Sequence, residues 1–194
     1  MNKKRLFAIV MGALCLPVWA HGELGGGLGM LSGVTHFLTS PLALAAWVGF
    51  VASVFVVDEK RVPALVVASA LAAGLGAFGV VYAATSLASV LVVLIGLTGV
   101  FAWGLSATAA VLLALVAGFT SGLAAELEPP TLARALGVAA TQAALLAGAL
   151  YTLPALDRLT RLKTLTPIAR RVLASWVTAI GLLMSALAIH LAKP

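Results

Sequence analysis

Four of the side chains with the chemistry of transition-metal ligands form a candidate metal site. His21 would offer an imidazole and an α-amine if it became the first residue of a processed chain, and Glu23 would add carboxylate oxygens. His36 supplies another imidazole and Glu126 another carboxylate. Because nickel, cobalt and copper accept such ligands, these residues predict a bound divalent transition metal (Ni, Co or Cu). The alternative is a solvated tail at His21, a solvated loop at Glu126 and an interfacial histidine at His36.

Polar side chains interrupt two segments that are otherwise apolar. Gln142 follows Thr141 in one segment, and Thr120 precedes Ser121 in another. An amide surrounded by lipid needs hydrogen-bond partners. Gln142 therefore predicts either a bond between two helices or, together with Thr120 and Ser121, the wall of a polar path.

Glycines recur at intervals of four residues in two places. Gly25, Gly29 and Gly33 form one series, and Gly118 and Gly122 form the other. On a helix this spacing puts the glycines on one face, which lets a second helix approach closely. We predict helix packing at both places, with a loose exported loop or a re-entrant turn as the alternative for the first.

Enzymatic and nucleic-acid-binding functions have no support in the sequence. It holds no nucleophile–base pairing, phosphate-binding loop or Cys/His cluster, so we predict that the protein is not an enzyme. The single cysteine, Cys15, excludes an internal disulfide. The net charge of +6 comes from residues at the N-terminus and in short loops rather than from one basic face, so nucleic acid is not an expected partner.

The elements that carry these residues are those of a membrane protein. The chain has 194 residues, of which 62% are hydrophobic and 9% charged. Soluble domains have about 45–50% apolar and about 25% charged residues. A chain this short cannot bury so much apolar surface in a water-surrounded core, so the lipid bilayer is its expected partner. We predict an all-α fold, a polytopic bundle of transmembrane helices.

The first 20 residues have the order of a secretory signal peptide. A basic start at residues 3–5 precedes eleven apolar residues at 6–16, and Pro17 then breaks the helix. Small residues follow at Val18 and Ala20, where a signal peptidase would cut. We predict a signal peptide at 1–20 and one transmembrane domain at 21–194, with an uncleaved signal anchor as the alternative.

Six apolar stretches in the remaining chain are each close to the 20 residues that a helix needs to cross a bilayer. Charged or proline-containing loops separate most of them, as at residues 58–61 and 126–130. The predicted spans are 36–57, 62–84, 86–103, 104–124, 131–153 and 172–191.

The basic residues predict the orientation of this bundle. An exported mature N-terminus puts the loops after the first, third and fifth spans in the cytoplasm, with Arg134 and Lys193 on the exported side. Cytoplasmic loops of membrane proteins are enriched in lysine and arginine. We therefore predict a bacterial inner-membrane protein with both termini in the periplasm. The cytoplasmic basic residues are Lys60, Arg61, Arg158, Arg161, Lys163, Arg170 and Arg171.

Short motifs resemble the HupE/UreJ family of hydrogenase and urease accessory membrane proteins, regarded as nickel or cobalt permeases. They are the Ala-His signal end, the Gly-rich start, GVTHFLTS at 33–40, WVGF at 47–50 and AAEL at 124–127. Of the family pattern H-P-x-x-G-x-D-H, the opening His36 is present. Phe37, Leu42 and Ala43 stand where the family has Pro, Asp and the second His, and the histidines of the fourth span are also replaced.

The resemblance implies a six-span inner-membrane protein that moves, or helps to deliver, a small cation of the nickel/cobalt class or another small solute. The replaced ligands support an alternative. In that alternative the protein is a non-transporting membrane anchor or assembly subunit, whose glycine faces contact partner proteins or a second copy of the chain.

Overall fold

A computed structural model describes residues 29–54, 58–78, 84–101, 104–125, 131–160 and 165–191. Regular structure in these ranges is entirely helical, which confirms the predicted all-α class. The predicted signal peptide, residues 1–20, lies outside the described ranges, as do His21, Glu23, Gly25 and Glu126.

The helices are built largely from alanine, leucine, valine and glycine, and polar side chains cap the starts of some of them. Asp58 caps a short 3-10 helix at Glu59–Arg61 by accepting a hydrogen bond from the Lys60 amide at 3.1 Å. Ser106 caps the helix α5 (Ala107–Ala124) in the same way, accepting from the Ala109 amide at 3.2 Å. The α-helices are α1 (Gly29–Thr39), α2 (Pro41–Val54), α3 (Val62–Phe78), α4 (Ala84–Phe101), α5 (Ala107–Ala124), α6 (Leu132–Thr160) and α7 (Leu165–Leu191).

Four helical segments in the described part of the chain are long and apolar enough to cross a membrane. They are Glu59–Phe78, Ala107–Ala124, Leu132–Pro154 and Pro167–His190, and a fifth is added if α1 and α2 together count as one span. The apolar stretch of α4, Ser86–Phe101, is shorter. The structure thus supports a membrane-type helical bundle with four or five candidate spans among the described residues. The sequence predicts six spans, which is one or two more.

The first predicted span, residues 36–57, is not one continuous helix. The chain bends by 72° between α1 and α2. Ser40 ends α1 and caps α2, because its Oγ accepts a hydrogen bond from the Ala43 amide at 3.2 Å. Pro41 is the first residue of α2, a position where the missing N–H of proline costs nothing. Serine followed by proline therefore starts a new helix inside an apolar run.

The helices pack in a simple order around α3 and α2. The helix α3 lies against α5 and α6, and α1 lies against α6. The helix α4 lies against α7, and α2 contacts α4, α5 and α7 and so joins the two groups. In this order α3, which carries Ser69, contacts both α5, which carries Thr120 and Ser121, and α6, which carries Gln142.

The outer surface of the bundle is apolar. Leu71, Leu75, Trp176 and Leu183 are each between 65% and 70% exposed. Large exposed apolar side chains on several helices are unfavourable in water and favourable in lipid. Several small residues lie inside, among them Ala46, Ala73 and Ala117, which are fully buried.

Candidate functional site

The most unusual group in the interior is the side chain of Gln142, near the middle of the span formed by α6. It is fully buried. Its Nε2 donates a hydrogen bond to Oγ of Ser69 on α3 at 2.7 Å. Its Oε1 is buried and has no hydrogen-bond partner among the described residues. The amide therefore joins two helices through one end and leaves a free acceptor at the other.

A free carbonyl oxygen in this position is costly. A buried acceptor without a partner costs about 1–3 kcal/mol in a protein interior. Rotating the amide by 180° would exchange its two ends rather than pair both with Ser69. Gln142 thus has hydrogen-bonding capacity that the surrounding helices do not use.

Thr120 and Ser121 are also fully buried, but their hydroxyls are bonded locally. Thr120 Oγ1 donates to the Val116 carbonyl at 2.7 Å. Ser121 Oγ donates to the Ala117 carbonyl at 2.9 Å and lies 3.4 Å from the Ala43 carbonyl of α2. Among the described residues no hydrogen bond links Thr120, Ser121 and Gln142 to one another. The structure thus brings the three predicted residues into one interior without forming a continuous chain of bonds.

The helix contacts place these polar groups at similar depths. A Cβ atom at Gly118 would meet the Ser69 carbonyl, so the Gln142–Ser69 pair lies level with Gly118. Ser121 is three residues further along α5, which is less than one helical turn. The interior layer formed by Ser69, Thr120, Ser121 and Gln142 is called the polar layer below.

A second buried polar atom without a partner lies at the depth of the Gln142–Ser69 pair. The indole Nε1 of Trp47 is buried and has no hydrogen-bond partner in the described part of the chain. The helices α2 and α5 run in opposite directions, because Ser40 bonds to Ala124 and Ser121 approaches Ala43. One turn beyond Ala43, Trp47 is therefore level with Gly118. An unused donor and an unused acceptor thus occur at one level of the bundle.

The four predicted packing glycines that the structure describes lie at close helix contacts. A Cβ at Gly118 or Gly122 would collide with the carbonyl oxygens of Ser69 or Ala73 on α3. A Cβ at Gly33 would collide with the Arg134 carbonyl of α6, and one at Gly29 would lie 2.8 Å from the Ala133 Cβ. The backbones of α3 and α5, and of α1 and α6, are in direct contact at these points.

The predicted metal ligands are not gathered within the described residues. His36 is the only one of the four that the structure describes, and its side chain is exposed on α1. The described part of the chain holds no group of three or more His, Cys, Asp or Glu side chains that could hold a metal ion. The metal site therefore stays a prediction.

The polar layer and the unpaired amide oxygen of Gln142 are the features that a function has to explain. No protein-family model, curated protein or solved structure matches this chain. The function is accordingly inferred from the geometry of the bundle and from the motifs in its sequence.

The sequence did not indicate the partners of α2. Ser40 Oγ donates to the Ala124 carbonyl of α5 at 2.6 Å. At the other end of α2, Arg170 Nε donates to the Ala52 carbonyl at 2.8 Å, and its Nη2 lies 3.5 Å from the Ser53 carbonyl. Carbonyl acceptors belong to the backbone, so no residue type signals them. Ser69 is different, because a hydroxyl inside an apolar span is the same kind of signal as Gln142.

Proposed function

We propose that this protein moves, or helps to deliver, a small solute across the bacterial inner membrane, with a divalent cation of the nickel/cobalt class as the first candidate. The observation that supports transport is the buried Oε1 of Gln142, which has no partner among the described residues. The resemblance to the HupE/UreJ family supports the choice of cation.

A polar group at this depth is expensive, and in membrane proteins such groups often mark the route of a solute. The amide oxygen can accept a hydrogen bond from a neutral solute or from the water shell of a cation. It can also bind a cation directly, since nickel and cobalt accept oxygen ligands as well as nitrogen ligands. His36, exposed on α1, would be an early contact for the same cargo.

The proposal includes a topology. Lys60 and Arg61 lie at the start of α3, and Arg170, near the start of α7, bonds to the end of α2. These basic residues share one end of the bundle, which we assign to the cytoplasm. His36 and Arg134 lie toward the other end, which we assign to the periplasm together with the two termini.

A second candidate function is a non-transporting anchor or assembly subunit. The local bonding of Thr120 and Ser121 supports it, because hydroxyls that bond to their own helix do not bind a solute. The direct backbone contacts at Gly118 and Gly122 also support a closed interior. In this case the exposed apolar surface would contact protein partners or a second copy of the chain.

Uptake into proteoliposomes tests the two candidates against each other. The purified full-length protein is reconstituted, and accumulation of Ni²⁺ and Co²⁺ is compared with that of protein-free liposomes. Transport predicts accumulation above the protein-free level, and its loss when Gln142 is replaced by leucine. Uptake equal to that of empty liposomes for both ions would remove metal transport and favour the second candidate.

A further inference from the structure

The helix α1 is oriented differently from α2, the helix that follows it. It makes an angle of 72° with α2, to which it is directly joined at Ser40. The helix α2 runs antiparallel to α5, a candidate span, so a helix at 72° to α2 lies closer to the membrane plane than to its normal. With 11 residues α1 is also too short to cross the hydrocarbon core.

The residues of α1 are sorted into a polar face and an apolar face. Ser32, Thr35, His36 and Thr39 are spaced by three and four residues, so they share one side of the helix. The side chains of His36 and Thr39 are exposed, and those of Ser32 and Thr35 are partly exposed. This face carries no Asp, Glu, Lys or Arg side chain.

The other side of α1 is apolar, and part of it is buried against the bundle while the rest is exposed. Gly33 and Phe37 are buried in the bundle, whereas Leu31 is 50% exposed. Val34 and Leu38, on the same side as Leu31, are partly exposed. A helix with one polar and one apolar face is typical of the boundary between water and lipid.

The contacts of α1 place it at the level of a charged residue. A Cβ atom at Gly33 would collide with the carbonyl of Arg134, in the first turn of α6. A Cβ atom at Gly137 would likewise collide with the Met30 carbonyl of α1. An arginine at the centre of a membrane helix costs about 2.5–3.5 kcal/mol or more, so Arg134 is expected near the headgroups. The helix α1 is therefore at the headgroup level as well.

We propose that α1 is an interfacial helix that lies flat on one end of the bundle. Leu31, Val34 and Leu38 insert into the phospholipid layer at the boundary of headgroups and acyl chains, and the polar face is turned to water. The backbone contacts with α6 hold α1 in place. This proposal does not depend on whether the protein transports a solute or on which side of the membrane α1 lies.

Single-cysteine labelling in phospholipid nanodiscs tests the proposal. Cys15 is the only cysteine, so a full-length Cys15→Ser chain is a cysteine-free background. Cysteine is introduced at Ser32, Thr35 or Thr39 on the polar face, and at Leu31, Val34 or Leu38 on the apolar face. Nanodiscs expose both membrane surfaces, so a membrane-impermeant maleimide reaches water-facing thiols whatever the orientation.

The expected result is several-fold faster labelling at the three polar-face positions than at the three apolar-face positions. Labelling after denaturation in sodium dodecyl sulfate normalises each variant for its amount. Protection of all six positions would show that α1 enters the hydrocarbon as part of a broken span or a re-entrant segment. Equal labelling of all six would show that α1 has no contact with lipid. Either outcome overturns the proposal.

Discussion

The amide of Gln142 and the hydroxyl of Ser69 form a 2.7 Å hydrogen bond between α6 and α3, in the interior of the bundle. Ser69 is also the residue whose carbonyl meets Gly118 of α5. One serine therefore contacts two neighbouring helices through different atoms. Changes at Gln142, Ser69 and Gly118 should affect one another, and single variants need matched controls.

Replacing Gln142 by leucine should separate stability from transport. The variant loses the bond to Ser69 but also removes the unpaired oxygen, and bonds between membrane helices average only about 0.6 kcal/mol. We expect the free energy of unfolding in mixed micelles to change by less than about 1 kcal/mol. Ser69→Ala should cost more, about 1–3 kcal/mol, because it leaves Gln142 without any partner among the described residues. A Gln142→Leu variant less stable than Ser69→Ala would contradict this order.

Gly118→Ala should destabilise the bundle, since the new Cβ would meet a backbone carbonyl that cannot move away by rotating a side chain. Overpacking of this kind costs about 1–3 kcal/mol. Gly148→Ala is the control, because Gly148 lies on the exposed side of α6 with open space where its Cβ would be. The control should be neutral or stabilising by up to about 1 kcal/mol. Thermal denaturation in detergent measures both, and equal melting temperatures would refute the tight contact.

Ser40→Ala should be more damaging than the loss of an ordinary helix cap. Ser40 caps α2 and also bonds to the Ala124 carbonyl of α5. Ser106 carries a comparable cap on α5, so Ser106→Ala measures the cost of a cap alone, about 1 kcal/mol. We expect Ser40→Ala to exceed that cost by a further 0.5–1.5 kcal/mol, roughly one hydrogen bond. Equal losses of unfolding free energy in the two variants would show that the bond to α5 adds nothing.

Arg170→Gln should loosen the end of α2. The guanidinium donates to the Ala52 carbonyl, and a hydrogen bond from a charged donor contributes about 1.5–3 kcal/mol. The neighbouring Arg171 is exposed, so Arg171→Gln should change stability by no more than about 0.5 kcal/mol. Hydrogen exchange of amides in the last turn of α2 provides a local readout. Exchange unchanged by Arg170→Gln would mean that the carbonyls of Ala52 and Ser53 do not need this cap.

His36→Ala should abolish metal-dependent uptake if His36 binds the cargo. The side chain is exposed on α1, so its loss should leave the melting temperature unchanged. The control is Thr39→Ala on the same face of α1, which removes a hydroxyl that bonds within its own helix. Uptake of Ni²⁺ by the His36→Ala variant at the wild-type rate would remove His36 from the mechanism.

Much of the fold follows from where apolar runs stop. The predicted fourth span ends at residue 124, as α5 does, and the predicted fifth begins at 131, next to the start of α6 at Leu132. The helices α6 and α7 extend beyond the predicted spans, into the basic stretch between residues 153 and 172. Basic residues are compatible with helix ends near headgroups, so charge alone does not terminate a helix there.

Ser40 and Pro41 indicate a helix start, but the apolar composition of residues 36–57 favours a single span, so the bend at Ser40 is not predicted. The candidate site was predictable only in part. Gln142 stood out because an amide is rare in an apolar run. The sequence does not predict the bond of Gln142 to Ser69, the unpaired Oε1 of Gln142 or the depth of Trp47. These features depend on how helices that are far apart in sequence pack together.

The bond between Arg170 and Ala52 joins residues 118 positions apart. At about 5–20 residues per second, the ribosome needs roughly 6–24 seconds to add the segment between them. During that time α2 is already made, while its last carbonyls have no guanidinium to bind. In a newly inserted chain, water or lipid headgroups must therefore bind the carbonyls at this end of α2 until α7 has been made.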